Sequence, residues 1–427
     1  MTPRWHRIGK YILITGIINM TVALVLLSNP AEERVIPQKQ QQRQRHYITN
    51  RSTSISRAEV TMPVPEVNNS GSKVMAEEQH KLKDTEHNEP VVKSEIAVYS
   101  ENIPTKCTKK LNIAFLKTHK SGSCTISNIL QRFGLRNDLN FVLPKSEEFT
   151  DSFWIIRDSK LDQSSLIPVK PGQDYNLITT HTTYNKTAYD RVMPPDYVTI
   201  SILREPEDNF VSSMFYFYPS QINMTKYPYI FDDFFSKTQT LAGQGEDFGL
   251  PPYTQGERDR ALKLVNNLDQ EFDFVMLLEY FDESLVYLRR QICWDFRDIL
   301  YMVHNKNLKR QNYALTSHNR QQLIQILAAD YIFYEHFKRK FWRDLTKADG
   351  DFFLEVHHLK IILRSVKDFC EFSYLKSNVP LVVPASDWNE PFSINQSECL
   401  LMKMAEPEMV KKLMHRAWAK YQSKKRY

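Results

Sequence analysis

Cysteine is scarce in this chain, with five in 427 residues. That count excludes a small secreted scaffold held together by disulfides, but it suits a large domain in an oxidising compartment. The number is odd, so at least one thiol stays reduced or bridges two chains. No cysteine or histidine cluster has structural-zinc spacing. No basic stripe is interleaved with aromatics, so the formal net charge of +6 does not make a nucleic-acid surface; it suits an anionic ligand. No internal repeat is present. From Asn29 to Val98 the only aromatic is Tyr47, amid Gln, Lys, Glu, Pro, Asn and Ser. Such a segment cannot bury enough apolar surface to offset its chain entropy and reads as a flexible stem.

Long apolar runs are equally rare. One stretch, Tyr11–Ser28, carries no charge; Arg4, Arg7 and Lys10 precede it, and Glu32 is the next charge. Its length suits a membrane-spanning helix, and the basic flank keeps the N-terminus cytosolic and the remainder lumenal. A cleaved signal peptide is the competing reading, but no small-x-small cleavage site follows. Sequons at Asn50, Asn68, Asn185, Asn223 and Asn395 are mild support for lumenal exposure. These features divide the chain into a cytosolic tail (1–10), an anchor (11–28), a stem (29–108) and a folded lumenal domain (109–427).

Within the last segment, short apolar strands are expected at Asn112–Leu116, Tyr175–Thr179, Tyr197–Leu203 and Phe274–Leu278, alternating with helical patterns. That order predicts an α/β fold with a central parallel sheet, whose ligands sit beyond the C-terminal strand ends. Gln321–Leu345 reads as one long aromatic-rich helix, with Leu323, Ile326, Leu327, Tyr331 and Tyr334 facing inward. Near the C-terminus, Val410, Leu413, Met414, Ala417 and Tyr421 form a buried face. Lys411, Lys412, Arg416, Lys420, Lys424, Lys425 and Arg426 form a solvated one. Cys370 is expected to pair with Cys399, and Cys124 to stay reduced.

The chemistry-bearing stretch is Leu111–Thr125, LNIAFLKTHKSGSCT, followed by Ile126, Ile129, Leu130 and Phe133 at helical spacing. It reads as a strand, a tight turn and a helix N-terminus, an arrangement that binds phosphate or sulfate. It is not a Walker A loop, because Lys120 precedes Gly122 and the first glycine is missing. The order Lys120, Ser121, Gly122, Ser123, Cys124, Thr125 resembles the 5′-phosphosulfate loop of sulfotransferases. Downstream, Tyr197–Leu203 ends in Arg204-Glu205-Pro206, and Ser212 follows Arg204 by eight positions in the next helix. That pairing resembles the sulfotransferase 3′-phosphate site, with a guanidinium fork and a hydroxyl as donors.

The segments FLKTHKSGSCTISNILQRFG, ISILREPEDNFVSSMFYFY, FDESLVYLRRQICW and YEHFKRKFW are similar to the galactose 3-O-sulfotransferase family. The resemblance runs from Leu111 to the C-terminus. It implies a P-loop-like sulfotransferase fold and a Golgi enzyme that uses 3′-phosphoadenosine-5′-phosphosulfate (PAPS) without a metal. The implied acceptor is the galactose 3-hydroxyl of a glycolipid or glycoprotein glycan. Lys120 would stabilise the leaving phosphate, the turn would grip the 5′-phosphate, and Arg204 with Ser212 would hold the 3′-phosphate. His181, which ends a strand between the two motifs, is the expected general base; His119 is the second candidate. The Lys309-Arg310 pair is a further 3′-phosphate candidate. Three departures from the family pattern stand out: Cys124 in place of serine, which removes one hydroxyl from the loop; His181–Asn185 in place of H-[LM]-R-F-N, whose missing arginine bears on acceptor contacts; and QGEDFGL at Gln244–Leu250, which keeps only part of a W-F-D-F-G-like stretch. Transfer to another sugar hydroxyl or a glycosaminoglycan, and a non-catalytic Golgi glycan-binding protein, remain as alternatives. A homodimer is left open.

Overall fold

The computed structural model describes residues 107–145, 154–156, 161–237, 241, 243–250, 258–303, 313–348, 350–373 and 379–423. The chain divides into two units, Met1–Val98 and Tyr99–Tyr427, and every described residue lies in the second. The expected anchor, nearly all of the stem and the Lys309-Arg310 pair lie outside the described residues. Among the described residues, no helix is long and apolar enough to cross a membrane.

The eight strands among the described residues are β1 (Ile113–Leu116), β2 (Trp154–Ile156), β3 (Leu177–Ile178), β4 (His181–Thr182), β5 (Val198–Leu203), β6 (Phe274–Leu277), β7 (Leu381–Val383) and β8 (Phe392–Ile394). Four of them form a parallel sheet in the order β3-β1-β5-β6. All four are runs of mainly apolar residues, as expected of strands covered on both faces; β1 and β6 are buried at every position. β2 pairs with β4 in a separate parallel ladder, and β7 with β8 in an antiparallel one.

Among the described residues, ten helices of seven residues or more accompany the strands. They are α1 (Ser123–Arg136), α2 (Lys186–Val192), α3 (Pro206–Phe217), α4 (Arg258–Glu271), α5 (Phe281–Ile292), α6 (Ser317–Ile326), α7 (Ala328–Leu345), α8 (Phe352–Asp368), α9 (Gln396–Lys403) and α10 (Glu406–Gln422). α1 packs closely on the sheet at Gly134. A Cβ there would stand 2.4 Å from the Phe141 ring and 2.5 Å from the Leu177 side chain. Phe133 stacks on Trp294 at 3.8 Å between centroids, and the Trp294 indole donates to the Lys110 carbonyl at 2.9 Å. This anchors the approach to β1.

The single helix expected over Gln321–Leu345 is two helices. Thr316 caps α6, its hydroxyl accepting from the Asn319 amide, and Leu327 leaves helical geometry (φ −100°, ψ 28°) while burying its side chain. The break lets α7 turn Phe333, Phe337 and Phe341 into the core, whereas Tyr331 is only partly buried. On α10 the apolar face is buried through Met414. Its basic face is not simply solvated, because Arg416 and Lys420 both pair with Asp138 at the end of α1. Cys370 bonds to Cys399 as expected, Cys107 bonds to Cys293, and Cys124 lies outside both disulfides.

The strand order fixes where ligands can bind. The connection after β1 leads to β3 on one side, and the connection after β5 leads to β6 on the other. The crevice of such a sheet opens where neighbouring strands send their connections in opposite directions. Here that place lies between the ends of β1 and β5, where Lys117–Gly122 and Arg204–Pro206 begin.

Candidate active site

The turn after β1 is built around one carbonyl. Thr118 Oγ1 donates to the Ile202 carbonyl of β5. The Thr118 carbonyl accepts from Ser121 Oγ at 3.0 Å and from Ser123 Oγ at 2.5 Å. Both serines are buried, so their hydroxyls shape the turn. Lys120 (φ 55°) and Gly122 (φ 79°) both take left-handed backbone. Gly122 caps α1, and a Cβ there would stand 2.6 Å from Leu278 Cδ1, just past β6. Glycine is therefore required both for conformation and for space. The first turn of α1 holds no acidic residue, which leaves its amides and the positive end of the helix dipole available to an anion.

The second motif docks onto the first. Arg204 NH1 donates to the Lys120 carbonyl at 3.2 Å, and NH2 stands 3.8 Å from Asp208. Asn209 donates to the His119 carbonyl at 2.8 Å. Ser212 is half-buried on α3. Lys120 reaches over the Tyr216 ring, with Nζ 3.7 Å from its centroid. Burial lowers its ammonium below the ordinary value; Cys124 works the other way, and Arg204 and Lys117 add to the lowering.

The two expected histidines meet as a parallel stack, 4.1 Å between centroids and 15° between planes. Their partners differ. His119 Nδ1 lies 2.8 Å from Asp247 Oδ1, and the His119 amide donates to Asp247 Oδ2 at 2.8 Å. A carboxylate accepts only, so Nδ1 carries the proton and the lone pair falls on Nε2. His181 Nδ1 lies 2.9 Å from the Lys117 carbonyl, to which its N–H donates. His181 Nε2 lies 2.9 Å from Lys117 Nζ. Burial first, then Lys117 and His119, hold His181 well below the ordinary histidine range, so it is neutral.

Lys117 escaped the sequence reading as a site residue, and so did Asp247, Gln244 and Glu406. Lys117 is only 2% exposed, with Nζ 3.2 Å from Glu406 Oε2 and 3.6 Å from Cys124 Sγ. Burial works against its charge, but Glu406 and Cys124 outweigh it and raise its pKa. The legible signal was a lysine directly abutting a buried strand. Asp247 comes from Gln244–Leu250, the segment expected to keep only part of the family pattern, and lies in the Asp-Phe-Gly that is kept. Asp330 receives the amides of Gln244 and Gly245 at 2.8 and 2.9 Å. Gln244 in turn exchanges two 2.8 Å hydrogen bonds with the backbone of Arg204. One segment thus ties His119 to the Arg204 turn. His119, His181 and Asp247 place ligand atoms within 4.8 Å of one another. A cation there would stand beside the Lys117 ammonium, and both nitrogens of His181 are already engaged.

A parallel α/β sheet with a cationic, glycine-containing turn at its switch point defines an anion-handling protein, and the paired histidines add proton-transfer chemistry. More narrowly, the chain belongs to the galactose-3-O-sulfotransferase family, whose sequence profile matches residues 73–373. It is 29% identical to galactose-3-O-sulfotransferase 2 of Homo sapiens over 275 residues, 61% of this chain and 68% of that protein. It is 27% identical to galactosylceramide sulfotransferase of Homo sapiens over 272 residues, 60% of this chain and 62% of that protein. Galactose-3-O-sulfotransferase 3 of Bos taurus is 30% identical over 257 residues, 56% of this chain and 59% of that protein. The chain thus spans less than two thirds of the latter two relatives. No solved structure matches it.

Proposed function

We propose that this protein transfers the sulfuryl group of PAPS to the 3-hydroxyl of galactose on a glycolipid or glycoprotein glycan. The observation that carries the reading is the junction of the two turns: Arg204 NH1 donates to the Lys120 carbonyl at the mouth of the switch-point crevice. Two phosphate-type sites so joined suit a single bisphosphorylated donor. The amides of Gly122, Ser123 and Cys124 at the α1 N-terminus hold the 5′-phosphate, and Arg204 with Ser212 holds the 3′-phosphate. The bound donor supplies an electrophilic sulfur with a phosphate leaving group. Lys120 sets its ammonium against the bridging oxygen, where negative charge develops as the S–O bond breaks.

The geometry favours His119 over His181 as the general base. His119 has the Asp247 carboxylate behind Nδ1, an arrangement that orients the ring and stabilises the imidazolium formed when Nε2 takes the hydroxyl proton. His181 directs its lone pair at Lys117 instead and serves as the stacked, neutral neighbour. Phe217, 47% exposed with its ring 6.0 Å from that of His119, offers an apolar platform for the acceptor sugar. The two disulfides agree with a lumenal, oxidising setting, and we place the protein in the Golgi membrane as a single-pass type II chain anchored by Tyr11–Ser28.

The test is to incubate the full chain with radiolabelled PAPS and a panel of galactosides, followed by linkage analysis of the product. Label at galactose O3 is expected. Label at another hydroxyl or on a glycosaminoglycan would replace the acceptor assignment. PAPS binding without transfer to any acceptor would leave a glycan-binding protein.

A further inference from the structure

Glu406 opens α10, beyond the stretch that matches the family, yet its carboxylate ends inside the site. An ammonium has three donors. Around Lys117 Nζ stand three acceptors: Glu406 Oε2 at 3.2 Å, His181 Nε2 at 2.9 Å and Cys124 Sγ at 3.6 Å. The same lysine receives the other nitrogen of His181 at its own carbonyl. Lys117 therefore grips both nitrogens of one imidazole while a carboxylate from the far end of the chain neutralises it.

We propose that Glu406 is a positioning residue for catalysis: it keeps Lys117 charged, and the charged Lys117 keeps His181 neutral against His119. The consequence follows from the stack. Two rings 4.1 Å apart cannot both become imidazolium without strong repulsion. With His181 held neutral, the single proton of the reaction has one destination, His119. The groups facing Lys117 are Glu406 from α10, Cys124 from α1, His181 from β4 and Lys120 from its own turn; His119 stacks on His181, and Asp247 faces His119 from the loop before α4.

The delivery of Glu406 is built into the fold. Cys370, just past α8, is bonded to Cys399 in α9, and Lys403 donates to the Cys370 carbonyl. Asn128 of α1 donates to the Leu401 carbonyl at 2.9 Å, and Arg297 pairs with Glu398 at 2.8 Å. These contacts hold α9 against the helix that bears the anion turn, and α10 begins three residues later.

The inference rests on the sulfotransferase reading, so the experiment has one readout that needs no acceptor. In full chain labelled at histidine, NMR titration of His181 is compared between the parent and Glu406→Gln. Without the carboxylate, Lys117 sheds its proton more easily, and the His181 pKa should rise toward the ordinary value of about 6.5. Glu406→Gln should also lower kcat at least about tenfold with little change in donor affinity, and Glu406→Asp should restore much of it. In a Lys117→Met background, Glu406→Gln should cost nothing more. If Glu406→Gln does not fold, the uncharged pair Lys117→Met with Glu406→Leu is expected to give the same rise in the His181 titration. An unmoved His181 titration overturns the proposal, as does a loss of kcat that persists undiminished in the Lys117→Met background. A His181 titration that shifts in Glu406→Gln as described, while the parent transfers no sulfate, would refute the sulfotransferase reading alone.

Discussion

Lys117 and Lys120 stand three residues apart in one turn and occupy opposite environments. Lys117 is sealed against a carboxylate, an imidazole and a thiol, whereas Lys120 lies on the open side of the turn above the exposed Tyr216 ring. The difference comes from backbone geometry. Lys117 directly follows β1 and points into the packed wall formed by α1 and α10. By Lys120 the chain has entered left-handed conformation and has turned its side chain over the Tyr216 ring of α3. Two identical side chains thereby take distinct places: one is paired inside the wall, and the other is the one proposed to meet the donor.

Exchanging the losses between these two lysines would break the comparison. Lys120→Ala should lower kcat by about 10²–10³-fold, as expected for a lost transition-state cation, with thermal unfolding unchanged. Lys117→Met should instead lower unfolding stability by about 3–5 kcal/mol, because Glu406 is left buried without its partner. Denaturant unfolding of both variants checks the contrast, and equal destabilisation would dissolve it.

A pH series sharpens the same contrast with a smaller effect. Burial lowers the pKa of Lys120, so its ammonium, and with it the proposed donor capture, is lost as pH rises through a value below 10.5. The alkaline limb of kcat/KM should therefore fall earlier than an ordinary lysine would allow. That of kcat should fall later, because bound phosphate retains the proton. Lys120→Arg should push the kcat/KM limb up; a limb that stays put belongs to another group. The smallest effect is expected at the open lip, where Phe217→Ala should raise the galactoside KM about 2–10-fold at constant kcat, the scale of one aromatic contact. A drop in kcat at constant KM would remove Phe217 from acceptor binding.

Much of this site was legible because it depends on local pattern. The strand ends at Leu116 and Leu203, the glycine at the α1 cap and the Arg204 turn are all short-range features, and the parallel sheet then gathers them on one edge. The break at Leu327 was hidden because the apolar period continues across it. The partners of the histidines were hidden for a different reason. Asp247 lies 128 positions from His119, and Glu406 approaches Lys117 from the last helix; such pairings are made by tertiary packing and leave no periodicity to read. The same holds for Arg416 and Lys420, whose basic helix face looked solvated until Asp138 was placed beside it.

The Cys370–Cys399 bond has a practical consequence for anyone preparing this protein. A host cell that keeps thiols reduced would still assemble the sheet and its lysine turn, since neither depends on that bond. It would present Glu406 on an arm held only by weaker contacts such as Asn128 to the Leu401 carbonyl and Arg297 to Glu398, and material that looks well folded by secondary structure should turn over less well until reoxidised.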